Sequence, residues 1–216
     1  MDSSVKRKLD QFFSRFKNYR FKKGEILIRP NEVPPGVFYL TEGVVRRYSI
    51  SSSGEELTLN IFKPISFFPM SWVINDTLTH HYFEALTEVK VIKAPKEDVK
   101  NFILKETDIL VDLVSRIYRG LDGFMLRMEY LMSGNAYTKL ITELLINTKR
   151  FGETVKDGTT LKIKLTQRDL AAQTGIARET VSRELKKLKK SGLIDLNNRF
   201  IIVKDIHNLE QELVQY

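Results

Sequence analysis

Arginine and glutamate side chains recur along a short stretch near the C-terminal end of the chain, at a spacing suited to contacts with base pairs. From Arg178 onward, Val181, Leu185 and Leu188 repeat at helical spacing and form an apolar stripe. The other side of this helix therefore carries the charged and polar residues Arg178, Glu179, Ser182, Arg183, Lys186 and Lys187. Arginine presents a planar fork of donors that matches the O6 and N7 acceptors of guanine, and glutamate can accept from a cytosine amine. A helix with this free face fits the major groove of DNA.

A shorter helix precedes this one, and the residues that begin and end it can be identified. Thr166 and Asp169 lie three positions apart before an apolar run, so each side chain can satisfy a backbone amide at the start of the helix. Gly175 permits the left-handed backbone that ends this helix, and Ile176 can pack in the angle between the two helices. Residues 166–194 therefore predict a helix-turn-helix.

The run Arg178-Glu179-Thr180-Val181-Ser182-Arg183 resembles the recognition-helix pattern of the Crp/Fnr superfamily of bacterial transcription regulators, and Gly192-Leu193-Ile194 follows it as in that family. The resemblance implies that Arg178, Glu179 and Arg183 read bases. The resemblance also implies that four residues contact phosphates, namely Thr166, Gln167, Arg168 and Thr180. Ser182 and Lys186 complete the predicted DNA-binding set. A serine usually opens this helix in the family, and Ala177 stands there instead, at a cost of about 1 kcal/mol for the lost cap.

Short β-rich runs alternate with turn residues between residues 19 and 94, which predicts an antiparallel barrel or jelly roll. The predicted strands are Glu25–Ile28, Val37–Leu40, Val44–Tyr48, Leu57–Phe62 and Glu88–Ile92. This region resembles the sensory β-roll of the Crp/Fnr family, with Gly43 and Gly54 at turns. An amphipathic helix over residues 3–16 is expected to cover the roll.

A long helix follows, in which apolar residues recur at alternating spacings of four and three, as in a coiled coil. These residues are Leu110, Val114, Ile117, Leu121, Phe124, Met128 and Leu131. One interpretation is a helix that packs only against its own domain; the resemblance favours a dimerisation helix. Gly120 and Gly123 weaken the helix by about 1 kcal/mol each relative to alanine, which suggests an adjustable segment.

The predicted fold is α+β, with three parts in chain order. Residues 1–106 form a β-roll sensory domain with an N-terminal helix, and residues 107–134 form the dimerisation helix and a hinge at Ser133-Gly134-Asn135. Residues 135–216 form a winged helix-turn-helix. It begins with a predicted amphipathic helix that contains Leu140, Ile141, Leu144 and Leu145. Besides the two helices of the helix-turn-helix, the other predicted elements are a strand over Leu161–Leu165, a hairpin that turns at Asn197-Asn198, and a closing helix over Ile206–Tyr216.

The net charge of +8 and the pI near 9.5 fit a polyanionic partner, although a generally lysine-rich composition would give the same values. From Asn135 to the end, 15 Lys and Arg residues face 10 Asp and Glu residues, so +5 of the +8 lies in the predicted DNA-binding part. The predicted partners are double-stranded DNA and a second copy of the chain. If the protein activates transcription, RNA polymerase is a further partner.

Several function classes are excluded by what the sequence lacks. The chain contains no cysteine, which excludes disulfides, thiolate zinc sites and cysteine-ligated iron–sulfur clusters. Adjacent His80 and His81 point to opposite faces of a strand, so no metal site and no cofactor are predicted. No phosphate-binding glycine loop, cysteine nucleophile or paired catalytic acids suggest an enzyme. The N-terminus lacks the apolar core of a signal peptide, and no apolar window approaches about 18 residues, so a cytoplasmic protein without a membrane partner is expected.

The predicted sensory domain differs from that of the cyclic-nucleotide-binding relatives in the residues that would hold a ligand. Those proteins hold the cyclic phosphate with a glycine–glutamate pair and an arginine, whereas residues 67–82 of this chain contain no arginine. Cyclic AMP is therefore not expected, although a cyclic-nucleotide receptor with a remodelled pocket is the alternative. If a cavity exists, its predicted lining is Phe62, Phe67, Phe68, Trp72, Phe124 and Met125. Such residues fit a small hydrophobic or aromatic effector, or a filled core with no effector.

Overall fold

The computed structural model describes residues 2–197 and 200–214, except the side chain of residue 214. The chain divides into two compact units, Met1–Ile117 and Tyr118–Tyr216. The division falls inside the long helix, which contributes its first part to one unit and its second part to the other. The domain boundaries at residues 106 and 134 follow helix ends instead, and they remain a prediction about how the chain is organised functionally.

The N-terminal unit is built from two four-stranded antiparallel sheets and four helical segments. Its elements are α1 (Ser3–Phe13), β1 (Lys17–Phe21), β2 (Ile26–Ile28), β3 (Val37–Glu42), β4 (Val45–Ile50), β5 (Glu56–Phe62), β6 (Phe67–Phe68), α2 (Met70–Asn75), β7 (Tyr82–Ala85), β8 (Val89–Ala94), α3 (Lys96–Lys105) and the first part of α4 (Thr107–Ser133). One sheet has the strand order β1-β8-β3-β6 and the other has the order β2-β7-β4-β5. This architecture confirms the predicted roll. Strands β1, β6 and β7 were not predicted, because β6 has only two residues and the short strands β1 and β7 carry charged side chains among their apolar residues.

The sheet that contains β3 is buried on both faces. Phe38 lies in the core between the two sheets, whereas its neighbour Tyr39 faces the helices that cover the outside. There Phe13 of α1 stacks on Tyr39 with ring centroids 4.4 Å apart, and the Tyr39 hydroxyl donates to Asp10 at 2.6 Å. Burial on both faces explains why Val37–Leu40 is a continuous apolar run instead of an alternating one. The predicted packing of the N-terminal helix on the roll is confirmed.

The turn glycines Gly43 and Gly54 adopt similar left-handed backbone angles, with φ of 85° and 81°. Their surroundings differ. A Cβ atom added to Gly43 would overlap the backbone carbonyl oxygen of Glu88, whereas a Cβ atom added to Gly54 would meet no atom within 4 Å. Backbone conformation alone therefore requires glycine at residue 54, and both conformation and packing require it at residue 43.

The C-terminal unit begins with the second part of α4 and continues as a winged helix-turn-helix. Its further elements are α5 (Ala136–Phe151), β9 (Gly152–Val155), β10 (Gly158–Leu161), α6 (Gln167–Thr174), α7 (Arg178–Lys190), β11 (Ile194–Asn197), β12 (Phe200–Val203) and α8 (Ile206–Val214). The sheet order is β11-β12-β10-β9. Asn135 separates α4 from α5, because its side chain caps α5 by accepting from the amides of Tyr137 and Thr138.

One strand prediction for this unit is wrong, and the predicted hairpin is confirmed. The strand predicted over Leu161–Leu165 is wrong, since β10 ends at Leu161, where its pairing with β9 also ends. Ile163 and Leu165 are nevertheless buried while the lysines beside them are exposed, so the alternation reflects burial in an irregular segment. The predicted hairpin exists, with Asn197 paired to Phe200. Residue 198 of its predicted turn lies outside the described residues, as do residues 215 and 216 of the predicted closing helix.

We expect Gly43→Ala to lower the free energy of unfolding more than Gly54→Ala does. A left-handed conformation costs a non-glycine residue about 1–2 kcal/mol, which applies to both variants, and only Gly43→Ala adds the overlap with Glu88. Thermal or urea denaturation of the two variants measures the difference. Equal destabilisation would show that the turn at Gly43 relaxes without cost.

Candidate nucleic-acid interface

The helix-turn-helix begins at a capping box, as predicted. The Thr166 hydroxyl accepts from the Asp169 amide at 3.2 Å, and the Asp169 carboxylate accepts from the Thr166 amide at 2.7 Å. Helix α6 ends at Gly175, whose φ of 66° lies in the left-handed region. These reciprocal bonds satisfy amides that a helix start otherwise leaves unpaired, and they fix where α6 begins.

Helix α7 buries one side and exposes the other. Val181, Leu185 and Leu188 are buried, which confirms the predicted apolar stripe. Most of the predicted base and phosphate contacts on this helix lie on the exposed side: Arg178, Glu179, Arg183 and Lys186 are exposed, and Thr180 and Ser182 are partly buried. Ala177 precedes the helix and provides no side-chain hydrogen bond, so the first amides of α7 remain available to another acceptor.

The start of α6 presents the remaining predicted contacts. Thr166 and Arg168 are exposed and Gln167 is partly buried. They surround a helix N-terminus, where the backbone amides and the helix dipole favour a negative group such as a phosphate. The structure thus places these residues on the surface of the same helix-turn-helix as the face of α7.

Glu184 is a buried residue of α7 that the sequence analysis did not single out. Its Oε1 atom accepts from Nε of Arg183 at 3.1 Å, and its Oε2 atom lies 2.8 Å from the ammonium of Lys187. Burial by itself raises the pKa of Glu184, but its interactions with Lys187 and Arg183 outweigh burial and lower the pKa. Glu184 therefore stays charged and orients Arg183. The spacing of Glu184 and Lys187, three positions apart on a helix, is the signal that could have identified it.

Buried polar side chains connect the helices behind the interface. The guanidinium of Arg127, near the end of α4, pairs with Glu143 of α5, with Nη2 2.9 Å from Oε2. Burial raises the pKa of Glu143, and the charge of Arg127 opposes that rise. Further along α5, the Asn147 amide donates to the Gln173 side chain of α6 at 2.7 Å. Because all of these groups except Arg127 are fully buried, they fix the orientation of α6 relative to α5.

The predicted seam of α4 is largely exposed in the single chain. Its five central residues, Val114, Ile117, Leu121, Phe124 and Met128, are 38% to 58% exposed, and only Leu110 and Leu131 at its ends are partly buried. The sequence analysis missed a further apolar row with a strict seven-residue spacing. This row consists of Val111, Tyr118, Met125 and Met132, which are 56% to 81% exposed. Together the two rows form a broad apolar face.

The predicted lining of an effector cavity is divided between different surroundings. Phe62 and Phe68 lie between the sheets, where their ring centroids are 4.8 Å apart and both contact Phe83. Phe67 belongs to the core beneath the helices, because adjacent residues of a strand point to opposite faces, and Trp72 of α2 packs against that core. Phe124 and Met125 belong to the C-terminal unit and are exposed. Phe62 of β5 and Phe68 of β6 are therefore brought together between the two sheets, whereas Phe67 lies on the opposite face of the sheet that contains Phe68.

Residues 2–197 and 200–214 contain neither a metal-binding cluster nor a membrane-spanning helix. No group of three or more His, Cys, Asp or Glu side chains there is arranged to hold a metal ion. No helix within this part of the chain is both long and apolar enough to cross a membrane. A cleft of about 500 Å³ lies in the C-terminal unit beside Tyr137, Lys187 and Glu212, and none of the predicted effector residues lines it.

Comparisons with known proteins agree with this architecture. Residues 19–106 match the cyclic nucleotide-binding domain family, and residues 138–212 match the Crp-like helix-turn-helix domain family. The chain is 27% identical over 189 residues to the global nitrogen regulator of Nostoc sp.. This match covers 85% of this chain and 83% of the relative. It is 23% identical over 201 residues to the cAMP-activated global transcriptional regulator CRP of Pasteurella multocida. That match covers 93% of this chain and 96% of the relative.

A solved structure shows the same fold. The structure of a CooA variant from Carboxydothermus hydrogenoformans has a TM-score of 0.78 at 23% identity, and the match covers 94% of this chain and 90% of that chain. The two matched domains, in this order and joined by a long helix, confirm the resemblance inferred from the recognition helix. The chain belongs to the Crp/Fnr family of transcription regulators, which are dimeric DNA-binding proteins and not enzymes.

Proposed function

We propose that the chain acts as a homodimer that binds an inverted-repeat site in double-stranded DNA, with Arg178, Glu179 and Arg183 as the base-reading residues. The observation that carries this proposal is the outer side of α7, on which these three residues are exposed while the apolar stripe is buried. DNA as the partner implies a cytoplasmic protein. If the regulator activates its promoters, RNA polymerase is a second macromolecular partner.

The remaining polar residues of the interface suit phosphates better than bases. Thr166, Gln167 and Arg168 cluster at the start of α6, and Thr180 lies in the first turn of α7. Contacts from a helix N-terminus to phosphates fix the orientation of the domain without carrying sequence information. Ser182 and Lys186 extend this set along α7. Specificity for the DNA sequence would then depend on the three base-reading side chains. Among them, Arg183 is oriented by its hydrogen bond to Glu184.

The apolar face of α4 supports the dimer. When a partner covers exposed apolar side chains, the free energy of association becomes more favourable by roughly 25 cal/mol for each Å² of apolar surface buried. A second copy of the chain offers the same face, and a two-fold axis along the helices would let each copy cover the other. That axis matches the symmetry of an inverted repeat, so one contact surface serves both assembly and site selection.

We expect Arg183→Ala to weaken binding to the cognate inverted repeat by about 1–3 kcal/mol, and binding to random DNA much less, because a base contact carries the discrimination. Gel-shift titration against both DNAs measures this, with half-sites placed about one helical turn apart. Lys190→Ala, at the exposed end of the same helix, is the matched control and should change both affinities by similar factors. An equal loss on all sequences for Arg183→Ala would exclude base reading by Arg183.

We expect Leu121→Asp to convert the dimer into a monomer at micromolar concentration and to abolish tight binding to the inverted repeat. A carboxylate at the centre of the apolar face would have to lose its water on association, which is unfavourable without a partner. Sedimentation equilibrium measures the mass. Asp122→Ala, at the exposed neighbouring position, should leave the mass of a dimer. A dimeric Leu121→Asp protein would contradict this use of α4.

We expect no binding of cyclic AMP in calorimetric titration. Among the described residues, no arginine lies in residues 67–82, where β6 and α2 instead place Phe68, Met70 and Trp72. The match of residues 19–106 to the cyclic nucleotide-binding domain family favours the alternative, a cyclic-nucleotide receptor with a remodelled pocket. Heat from micromolar binding of cyclic AMP would establish that alternative.

A further inference from the structure

Two neighbouring arginines of β4 have opposite surroundings. The guanidinium of Arg46 lies 2.7 Å from Glu84 and 2.8 Å from Glu56, and it stacks on Tyr48 at 4.1 Å. Burial by itself lowers the pKa of Arg46, but the two carboxylates outweigh burial and raise it. Arg46 is thus a compensated cation on the outer face of the sheet.

Arg47 points to the other face of β4, which is the interior of the roll. It shares that face with Val45, which lies in the core between the sheets, and its cross-strand partners are Phe83 on β7 and Asn60 on β5. The Nε atom of Arg47 is buried and has no hydrogen-bond acceptor among the described residues. Burial lowers the pKa of Arg47, and no carboxylate in the described part of the chain offsets that effect.

The polar neighbours of Arg47 are uncharged. His81 lies just before β7, two residues ahead of Phe83, and both burial and the charge of Arg47 lower its pKa. His81 is therefore neutral at pH 7. The carbonyl oxygen of the Asn60 side chain accepts from the amide of Ile61, so its Nδ2 group is the part that can donate to a ligand.

We propose that Arg47 is the anion-binding residue of a ligand site inside the roll, and that the ligand is a small carboxylate with an apolar or aromatic body. A partly buried arginine without a partner destabilises the folded protein. A bound carboxylate would stabilise it by accepting two hydrogen bonds from the guanidinium. This inference specifies the effector of the regulator proposed above and rests on that function.

The charge around Arg47 determines which anion fits. One permanent cation with neutral His81 and Asn60 beside it compensates a single negative charge. A doubly charged phosphate monoester would need a second cation, which His81 could supply only by taking up a proton in a partly buried place. A carboxylate carries one charge on two oxygens, and it matches the planar fork of arginine.

The aromatic side chains next to Arg47 determine the rest of the ligand. Phe83 is the direct cross-strand partner of Arg47, and it packs against Phe62 and Phe68 with ring centroids 5.6 Å and 5.2 Å away. An apolar or aromatic group attached to the carboxylate would lie against these rings. The hydrophobic or aromatic effector expected from the sequence therefore gains a charged end.

The first test compares the two arginines without any ligand. Arg47→Met removes an uncompensated cation and keeps most of the side-chain volume, so we expect the melting temperature to rise by about 2–4 °C. Arg46→Met leaves Glu84 and Glu56 without their cation, so it should lower the melting temperature. If Arg47→Met lowers the melting temperature as Arg46→Met does, Arg47 is a structural residue and the proposal fails.

The second test uses sodium benzoate as the probe, with neutral benzamide and sodium chloride at equal concentrations as controls. Benzoate at about 20 mM should raise the melting temperature of the unmodified full-length protein by about 2 °C or more, and the controls should not. The rise should disappear in Arg47→Met and persist in Ile50→Ala, an exposed position at the end of the same strand. Equal effects of benzoate and benzamide, no effect of benzoate, or an undiminished effect in Arg47→Met would each overturn the proposal.

The same proteins separate this inference from the proposed function. Gel-shift titration of the Arg47→Met protein on the inverted repeat reports DNA binding, whereas the melting temperature reports the ligand site. Specific DNA binding without a benzoate response overturns only the site at Arg47. A benzoate response without specific DNA binding supports the site and contradicts its role in a DNA-binding regulator.

Discussion

A helix with two exposed apolar rows is the constraint on which the rest of this structure depends. α4 extends over 27 residues and carries apolar side chains at heptad spacing and in a second row beside it. Neither the roll nor the winged helix covers the central part of these rows within its own unit. Water contact with so much apolar surface is unfavourable, so a covering surface of the same shape is required. In the homodimer proposed above, the second copy would provide it.

The two units are stabilised by different kinds of interaction. In the roll, one sheet is buried on both faces, with Phe38 inside and Tyr39 under the helices, so its position is fixed by packing. In the winged helix, buried polar pairs such as Asn147 with Gln173 fix the direction of α6. Packing tolerates small changes in side-chain shape, whereas a buried polar pair requires a defined geometry. The part that contacts DNA is the part held by directional bonds.

Local signals were enough to predict the helix-turn-helix, the heptad helix and the roll. The cap at Thr166, the end at Gly175 and the apolar stripe of α7 depend on residues within a few positions of each other. Relations across strands were not predictable in this way. The separation of Phe67 from Phe68, the end of β10 at Leu161, and the contrast between Arg46 and Arg47 depend on which strand pairs with which. Sequence alternation indicates that Arg46 and Arg47 lie on opposite faces, but only the register shows which one meets carboxylates.

The ion pair between Arg127 and Glu143 has a consequence for where the DNA-binding part can be cut from the rest of the chain. Glu143 is buried inside the winged helix, yet its countercharge comes from α4, upstream of the segment that matches the helix-turn-helix family. A fragment that begins at Asn135 would retain the carboxylate and lose the guanidinium, and removal of one member of a buried pair typically costs about 3–5 kcal/mol. A fragment that includes the last turns of α4, which are also part of the apolar face, should therefore be more stable than one that begins at Asn135. Stability of the DNA-binding part and assembly of the dimer consequently depend on the same segment of chain.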